Sequence, residues 1–328
     1  MRYVIYGAGG VGSLFGGRLY QAGEAVVLIG RPAHVAQIKA RGLRIVETDH
    51  TETIVSVAAA IEPLPQMDDV LILTVKSHDT PEALAELRRR YSSDTPIVCL
   101  QNGVRNEELA NAYFTRVYGG LNVIGAQYLE PGTVEALGPR SLAIGVYPEG
   151  TDDLAQSVTE AARRAGFQAS VHPRIMAPKW TKLVGNCHNA IFALCNLPVH
   201  EAFADPAACQ LIQMLRDEAS TTLTAAGIAH DPIPPVGPAA SSPPPPVPMY
   251  GSTWMDFRLG RGKNEVDFFN GEIVRVGEQQ GIPTPANRLI AALSRVAAER
   301  GDPPGGYTPA QLLEMVRTTM RAPPTIRS

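Results

Sequence analysis

The chain has 328 residues, of which 45% are hydrophobic and 19% are charged, an ordinary balance for a globular protein. This length allows two domains, since domains usually contain about 100–200 residues. The formal net charge of −3 excludes a strongly basic nucleic-acid-binding surface of the kind that an excess of lysine and arginine produces.

The first twelve residues, MRYVIYGAGGVG, form an apolar strand pattern and a glycine turn, without the charged and apolar regions of a signal peptide. No later stretch approaches the roughly 18 uninterrupted apolar residues of a membrane span. The four cysteines contain no C-x-x-C pair and predict reduced thiols, not a disulfide framework. We therefore expect a soluble, cytoplasmic protein.

Residues 1–172 alternate short apolar runs with amphipathic stretches. The apolar runs, typical of buried strands, are Tyr3–Tyr6, Ala25–Ile29, Val70–Val75, Ile97–Leu100, Val117–Val123, Ser141–Val146 and Gln168–Val171. Helical patterns lie between them, at Gly10–Gln21, Pro81–Arg89, Asn106–Tyr113 and Asp153–Gly166. This alternation predicts an α/β domain with a mostly parallel sheet and helices on both faces.

Residues 173–328 are predicted to form a second, all-α domain. Its helical patterns are Ala177–Asn196, Pro206–Ala226, Asn264–Gln280, Pro285–Arg300 and Pro309–Met320. Residues 232–248 contain nine prolines in seventeen positions and cannot form a helix interior. We interpret this segment as an exposed connector; a stiff rim over an active site is the second interpretation, and a ligand for an SH3-type domain is a weaker third.

A glycine turn follows the first strand and opens the first helix. Its residues are Gly7, Ala8, Gly9, Gly10, Val11 and Gly12, the G-x-G-x-x-G pattern of a dinucleotide-binding Rossmann domain. The first glycine permits the tight turn, the second lets the backbone approach a pyrophosphate, and the third lets helix and strand pack closely. The helix N-terminus offers free N–H groups to the anion.

Three further residues are predicted to lie near the cofactor. Arg31 follows the second strand, where an NAD enzyme would carry an acid for the ribose hydroxyl; a guanidinium there favours NADP. Lys76 follows the strand Val70–Val75, and Asn102 follows the next strand. Strand carboxyl ends face the ligand crevice in open α/β sheets, so both side chains should lie there, although the Asn-Gly pair at 102–103 is also compatible with a simple turn.

The helix predicted from Ala177 carries Lys179, Lys182, Asn186 and Asn189. Spacings of 3, 4 and 3 would place them on one face, either solvated or turned towards a polar ligand. Reduction of a ketone leaves negative charge on oxygen, which a lysine with a lowered pKa can protonate and asparagines can bind. A carboxylate is needed to orient the lysine, and the region of Glu265 is its expected source.

The chain resembles the ketopantoate reductase (2-dehydropantoate 2-reductase) family along nearly its whole length. The matching pieces occur in order: GAGGVG at 7–12, Arg31, Val75-Lys76, Gln101-Asn102-Gly103, Trp180-Thr181-Lys182-Leu183 with Asn186, and Ser252, Asp256, Asn264-Glu265-Val266-Asp267 and Asn270-Gly271. The resemblance implies an N-terminal Rossmann domain, a C-terminal helical domain and an active site in the cleft between them. It also implies NADPH-dependent reduction of ketopantoate to pantoate in pantothenate biosynthesis.

The resemblance also implies a role for individual residues. Lys182 corresponds to the proton donor, Glu265 to an acid near the lysine and the nicotinamide, and Ala126 to a backbone contact with NADP. The residues that correspond to substrate contacts are Asn102, which also touches the cofactor, Asn186, Asn189 and Ser252. Asn189 stands one residue earlier than the second asparagine of the family pattern.

One departure from the family concerns the substrate. The family's Pro-Asn-Gly-Glu is Pro198-Val199-His200-Glu201 here, and Val199 cannot bind the hydroxyl of ketopantoate. Two alternatives therefore stay open: a reductase acting on another 2-oxo acid or keto compound, and a non-catalytic NADP sensor, which would have no use for Lys182 and Glu265. The seven histidines show no metal-ligand spacing, so we expect no metal. The expected partner is a small 2-oxo acid, with no nucleic acid and no membrane; a homodimer stays open.

Overall fold

The computed structural model describes residues 1–233, 236 and 248–321. The chain folds into two compact units, Met1–Lys179 and Trp180–Ser328. The predicted domain boundary between residues 172 and 173 stays a prediction; the units divide slightly later, inside a helix. Most of the proline-rich segment 232–248, interpreted above as a connector or rim, lies outside the described residues. No helix in the described part of the chain is long and apolar enough to cross a membrane.

The first unit contains one sheet. Its strands are β1 (Arg2–Tyr6), β2 (Ala25–Ile29), β3 (Leu43–Val46), β4 (Glu52–Val55), β5 (Ala58–Ala60), β6 (Asp69–Leu73), β7 (Ile97–Cys99), β8 (Val117–Glu130), β9 (Thr133–Val146) and β10 (Gln168–Val171). They are ordered β4-β3-β9-β8-β7-β6-β1-β2-β5, and β10 pairs with β9. Only the β3–β4 and β8–β9 pairs are antiparallel, so the predicted mostly parallel sheet is confirmed.

Helices cover both faces of this sheet. They are α1 (Gly10–Gln21), α2 (Pro32–Arg41), α3 (Thr80–Arg90), α4 (Arg105–Asn111) and α5 (Asp153–Arg164). Tyr3 and Ile5 of β1 join the core that includes Phe15 of α1, whereas Val4 joins the core that includes Leu84 of α3. Successive residues of a strand point to opposite faces, so both faces of β1 need apolar residues. This explains the unbroken apolar runs in the sequence.

Three of the predicted strands differ from those observed. β6 ends at Leu73 and not at Val75, so Lys76 lies three residues beyond the strand. β8 and β9 each run over 14 residues and form a long antiparallel pair that extends past the predicted apolar runs. Contacts between the two strands stabilise the half-exposed outer part of this hairpin. Such contacts do not require a run of apolar residues, so the sequence pattern does not predict them.

The second unit is helical in its described residues, which confirms the predicted all-α class. Its helices are α7 (Asn189–Cys195), α8 (Val199–Ala204), α9 (Pro206–Ala225), α10 (Ser252–Arg258), α11 (Asn270–Gln280), α12 (Pro285–Arg300) and α13 (Pro309–Arg321), and α6 (Met176–Asn186) crosses the division between the units. α7, α9, α12 and α13 supply one apolar core, which includes Ile191, Leu215, Ile290 and Leu312.

The single helix predicted for Ala177–Asn196 is wrong, because α6 ends at Asn186 and α7 begins at Asn189. Gly185 and Asn186, both poor helix formers, close α6. The carbonyl of Cys187 accepts a hydrogen bond from Nδ2 of Asn270, at 3.0 Å. Asn189 therefore does not continue the helical face that carries Lys182 and Asn186.

Candidate active site

The glycine turn is shaped to leave room for a ligand. A Cβ on Gly7, whose φ is +110°, would lie 2.6 Å from the Val75 nitrogen, and a Cβ on Gly12 would lie 2.5 Å from the Gly7 oxygen. Packing within the protein therefore requires both of these glycines. A Cβ on Gly9 would meet no atom closer than the Gly7 oxygen at 3.9 Å, so the space above Gly9 is open.

The first turn of α1 is prepared for an anion. Gly9 provides the N-cap without a capping side chain, and the first turn contains no acidic residue. The backbone N–H groups at a helix N-terminus attract negative charge, which is stabilised further by the helix dipole. The open backbone at Gly9 and this helix end together suit the pyrophosphate of a dinucleotide.

Ala126 lies against this turn. A Cβ on Gly10 would be 2.9 Å from the Ala126 carbonyl oxygen, so the two backbones are in close approach. The register of β8 and β9 shifts between Ile124 and Ala126. Such bulges redirect a strand locally and often occur next to active sites. The structure therefore places the Ala126 backbone at the edge of the candidate dinucleotide site.

Arg31 is exposed immediately beyond β2. The Ile29 carbonyl accepts hydrogen bonds from the Gly7 and Ala8 nitrogens, at 3.1 and 2.8 Å, which fixes the tip of β2 beside the glycine turn. The exposed position lets the Arg31 guanidinium meet a phosphate from solvent. Burial raises the pKa of Tyr128, and the nearby positive charge of Arg31 opposes that rise.

A hydrogen-bond network joins the loops after β6 and β7. Gln101 Nε2 donates to the Val75 carbonyl at 2.9 Å and to Thr80 Oγ1 at 2.8 Å. The Asn102 carbonyl accepts from Ser77 Oγ at 3.1 Å and from Asn106 Nδ2 at 2.8 Å. The loops that carry Lys76 and Asn102 therefore form one hydrogen-bonded assembly at the carboxyl edge of the sheet.

The Asn102 side chain in this assembly is suited to a ligand. Its Oδ1 atom is buried and has no hydrogen-bond partner among the described residues. A buried oxygen without a donor costs about 1–3 kcal/mol, so such atoms are uncommon in folded proteins. A donor on a bound molecule would satisfy it.

Lys179 does not belong to a ligand-facing stripe. It is 3% exposed, and its Nζ lies 2.6 Å from Oε1 of the fully buried Glu107. It also donates to the carbonyls of Gln101 and Gly120, each at 3.0 Å. Removing one partner of a buried ion pair costs about 3–5 kcal/mol. Glu107 has no signal in the sequence, because nothing in its local pattern distinguishes a buried glutamate from an exposed one.

The remaining predicted site residues belong to the second unit. Lys182 and Asn186 lie one turn apart on α6, and both are half-buried. Asn189 begins α7, and its Oδ1 lies 3.6 Å from the position that a Cβ on Gly251 would occupy. Gly251 is the N-cap of α10, so the structure brings Asn189 next to the helix start that carries Ser252.

Glu265 is 4% exposed and lies in the segment between α10 and α11. The side chain of Asn264 holds this segment in place. Its Nδ2 donates to the Ser294 carbonyl at 3.3 Å, and its Oδ1 accepts from the Val266 nitrogen at 2.8 Å. A buried carboxylate with fixed backbone on both sides is suited to orienting a cationic side chain.

His188 lies in the turn between α6 and α7 but is poorly suited to acid–base chemistry near neutral pH. Burial, with a contribution from the Arg216 charge, lowers the pKa of His188 to about 3. No group of three or more His, Cys, Asp or Glu side chains suited to a metal ion occurs in the described part of the chain.

Comparison with known proteins identifies the family. The family model described as "Ketopantoate reductase PanE/ApbA" matches residues 3–149, and the model of the C-terminal domain of the same family matches residues 174–298. A 2-dehydropantoate 2-reductase from Pyrococcus horikoshii is 32% identical over 302 residues, which cover 92% of this chain and 99% of the relative.

Solved structures share the fold. A PanE/ApbA family ketopantoate reductase from Ralstonia eutropha has a TM-score of 0.79 and 28% identity, covering 92% of this chain and 99% of that one. A D-mandelate dehydrogenase solved with NADH and anilino(oxo)acetate has a TM-score of 0.83 and 24% identity, with the same coverage. The chain matches both domains of the family in the expected order, and it matches a relative over nearly the full length of both chains. It therefore belongs to the ketopantoate reductase PanE/ApbA family of oxidoreductases.

Proposed function

We propose that this protein uses NADPH to reduce a 2-oxo acid to a 2-hydroxy acid, with ketopantoate as the first candidate substrate and pantoate in pantothenate biosynthesis as the product. The observation that carries the proposal is the pair Lys182 and Asn186, half-buried one turn apart on α6, in a chain that also has an open glycine turn. The 2-dehydropantoate 2-reductase from Pyrococcus horikoshii supports the substrate class. A cytoplasmic location stays a prediction.

The residues of the first unit fit a nicotinamide dinucleotide. Gly9 and the N-terminus of α1 would hold the pyrophosphate, with the Ala126 backbone at the edge of the site. Arg31 would pair with the 2′-phosphate, which is the basis for choosing NADPH over NADH. Lys76 and Asn102 would lie near the nicotinamide end, where the unpartnered Asn102 Oδ1 can accept a hydrogen bond.

The second unit supplies the proton. A bound NADPH would supply hydride to the carbonyl carbon, and the electron pair of the C=O bond would move to the carbonyl oxygen. We assign to Lys182 Nζ the proton that this oxygen takes up, which gives the alcohol. The Glu265 carboxylate keeps the lysine oriented and charged before transfer. Asn186 and Asn189 donate hydrogen bonds to substrate oxygens, and Ser252 binds the substrate carboxylate.

The substrate can differ from ketopantoate in its side chain. Val199 begins α8, where its backbone nitrogen donates to the Met249 carbonyl at 2.8 Å and its side chain packs against the apolar core. Asn196 accepts a hydrogen bond from Trp254 Nε1 at 2.8 Å and is already engaged. These contacts favour a 2-oxo acid without a terminal hydroxyl as the second candidate.

The test follows NADPH absorbance while the protein is mixed with a panel of 2-oxo acids. Lys182→Ala should lower kcat by about 10²- to 10⁴-fold, because a positioned proton donor is lost, while the Kd for NADPH changes little. Lys39→Ala, at an exposed position on α2, is the matched control and should retain wild-type turnover. Near-normal turnover by the Lys182 variant would exclude this residue as the donor. NADPH binding without oxidation by any acid in the panel would favour a sensor.

A further inference from the structure

We propose that Lys179 is a positioning residue for the reaction: with Glu107, it fixes the loop that carries Asn102. The inference rests on the proposed function, because it assigns a purpose to Asn102. It concerns only the first unit, in which all of its residues lie. Lys179 takes no part in the chemistry assigned above to Lys182.

The contacts of Lys179 surround Asn102 along the chain. Its ammonium donates to the carbonyl of Gln101, the residue before Asn102, at 3.0 Å, and pairs with Glu107 on α4 at 2.6 Å. A third contact, to the Gly120 carbonyl at 3.0 Å, ties the same ammonium to β8. One buried cation therefore closes the loop between Gln101 and Glu107 and anchors it to the sheet.

This anchor explains how Asn102 is kept in place although its Oδ1 is unsatisfied. The Asn102 carbonyl is bonded to Ser77 and Asn106, but its Oδ1 is buried without a partner among the described residues. An unsatisfied buried oxygen costs free energy, so the rest of the loop has to hold Asn102 in this position. Burial raises the pKa of Glu107 and the Lys179 ammonium opposes that rise, so the ammonium favours the charged form of this carboxyl group.

A buried ion pair that holds a loop in place can cost stability, and we expect it where the position of a side chain affects the reaction. A buried ion pair is often no more stabilising than apolar residues of the same volume. A displacement of about 1 Å at a substrate-positioning group can lower a rate by about 100-fold. We therefore attribute to the Lys179–Glu107 pair the position of Asn102 and not a gain in stability.

The test removes both charges together, so that no single buried charge is left without a partner. In Lys179→Met with Glu107→Gln, the pair-free variant, kcat/KM for the best 2-oxo acid should fall by about 10- to 100-fold, with KM raised as well as kcat lowered. The matched control is Arg2→Met with Asp69→Asn. It removes an ion pair of 2.7 Å between Arg2 and the buried Asp69 carboxylate, at the amino ends of β1 and β6 and so at the other end of the strands from Asn102. Both kcat and KM of this control should stay near the wild-type values.

A double-mutant cycle with Asn102→Ala separates positioning from stability. If Lys179 acts through Asn102, the pair-free changes should lower kcat/KM by less than about twofold once Asn102 is absent. A fall of about 10- to 100-fold in kcat/KM in the Asn102→Ala background would contradict the proposal. An equal fall in the control variant, Arg2→Met with Asp69→Asn, would contradict it as well.

Hydrogen exchange of residues 97–107 gives a readout independent of turnover. Exchange should be faster in the pair-free variant than in the control, and equal exchange in the two would also contradict the positioning role. If wild type reduces no 2-oxo acid, the proposed function fails, and the exchange result alone then decides whether Lys179 orders the loop.

Discussion

The second unit should lose stability in mild acid because of His188. Its Nδ1 lies 3.3 Å from Arg216 Nη2, and a guanidinium can only donate, so the imidazole is neutral with its proton on Nε2. Its ring packs against Phe192 and Phe203, with centroids 4.7 and 5.5 Å away. Protonation would place a second positive charge beside Arg216 in an apolar site.

The magnitude follows from the shift in pKa. Burial, reinforced by Arg216, lowers the pKa of His188 to about 3 from 6.5. The unfolded chain therefore binds a proton below pH 6.5, whereas the folded protein does not until about pH 3. The free energy of unfolding is unaffected above 6.5 and falls as the pH decreases towards 3. Between about pH 7.5 and about pH 5 this linkage gives a loss of about 2 kcal/mol.

The assay is urea unfolding of wild type and of His188→Gln at these two pH values. Both tryptophans, Trp180 and Trp254, belong to the second unit, so their fluorescence reports on the unit that contains His188. Glutamine keeps an acceptor for Arg216 but does not titrate, so the variant should lose about 2 kcal/mol less than wild type over the interval. His50→Asn, at an exposed turn, should keep the wild-type loss. Equal losses in His188→Gln and wild type would refute the reasoning.

Two further predictions concern ligand choice. Arg31→Ala should weaken the binding of NADPH relative to that of NADH by about 10- to 100-fold, because a charge-assisted phosphate contact is worth about 1.5–3 kcal/mol. Fluorescence titration measures both Kd values, and Arg41→Ala, at the exposed end of α2, is the control. An unchanged preference for NADPH in the Arg31 variant would contradict the assignment. Val199→Asn should raise kcat/KM for ketopantoate relative to 2-oxoisovalerate, which lacks the hydroxyl. An apolar wall discriminates by only about 1–3 kcal/mol, so a wild-type preference for ketopantoate above roughly a thousandfold would show that another group binds the hydroxyl.

The N-terminal strand, glycine turn and helix start are the part of the structure that short-range sequence information predicts well. A strand, a tight turn and a helix start occupy neighbouring residues, and the contacts that exclude a side chain at Gly7 and Gly12 come from packing around this turn. The apolar runs likewise predict the central strands, because a strand covered on both faces needs apolar residues throughout. The roles assigned to Lys182, Glu265 and the substrate-binding residues rest on resemblance and stay predictions.

The helix that carries Lys182 shows where periodicity is insufficient. The pattern from Ala177 to Asn196 is compatible with one continuous helix, yet the chain turns after Asn186. The Asn270 side chain that binds the Cys187 carbonyl in this turn is 83 residues away along the chain. Local spacing contains no information on such a contact, and so the predicted face through Asn189 was wrong.

By itself the sequence determined the class of each domain and the place of the glycine turn, since both depend on the order of residues within a few turns or strands. Only the tertiary structure decided what its buried charges do. Lys179 has the spacing of an active-site lysine, but Glu107, 72 positions earlier, and two carbonyls surround it. A charge taken out of water requires partners, and the fold alone determines which distant groups are close enough to serve.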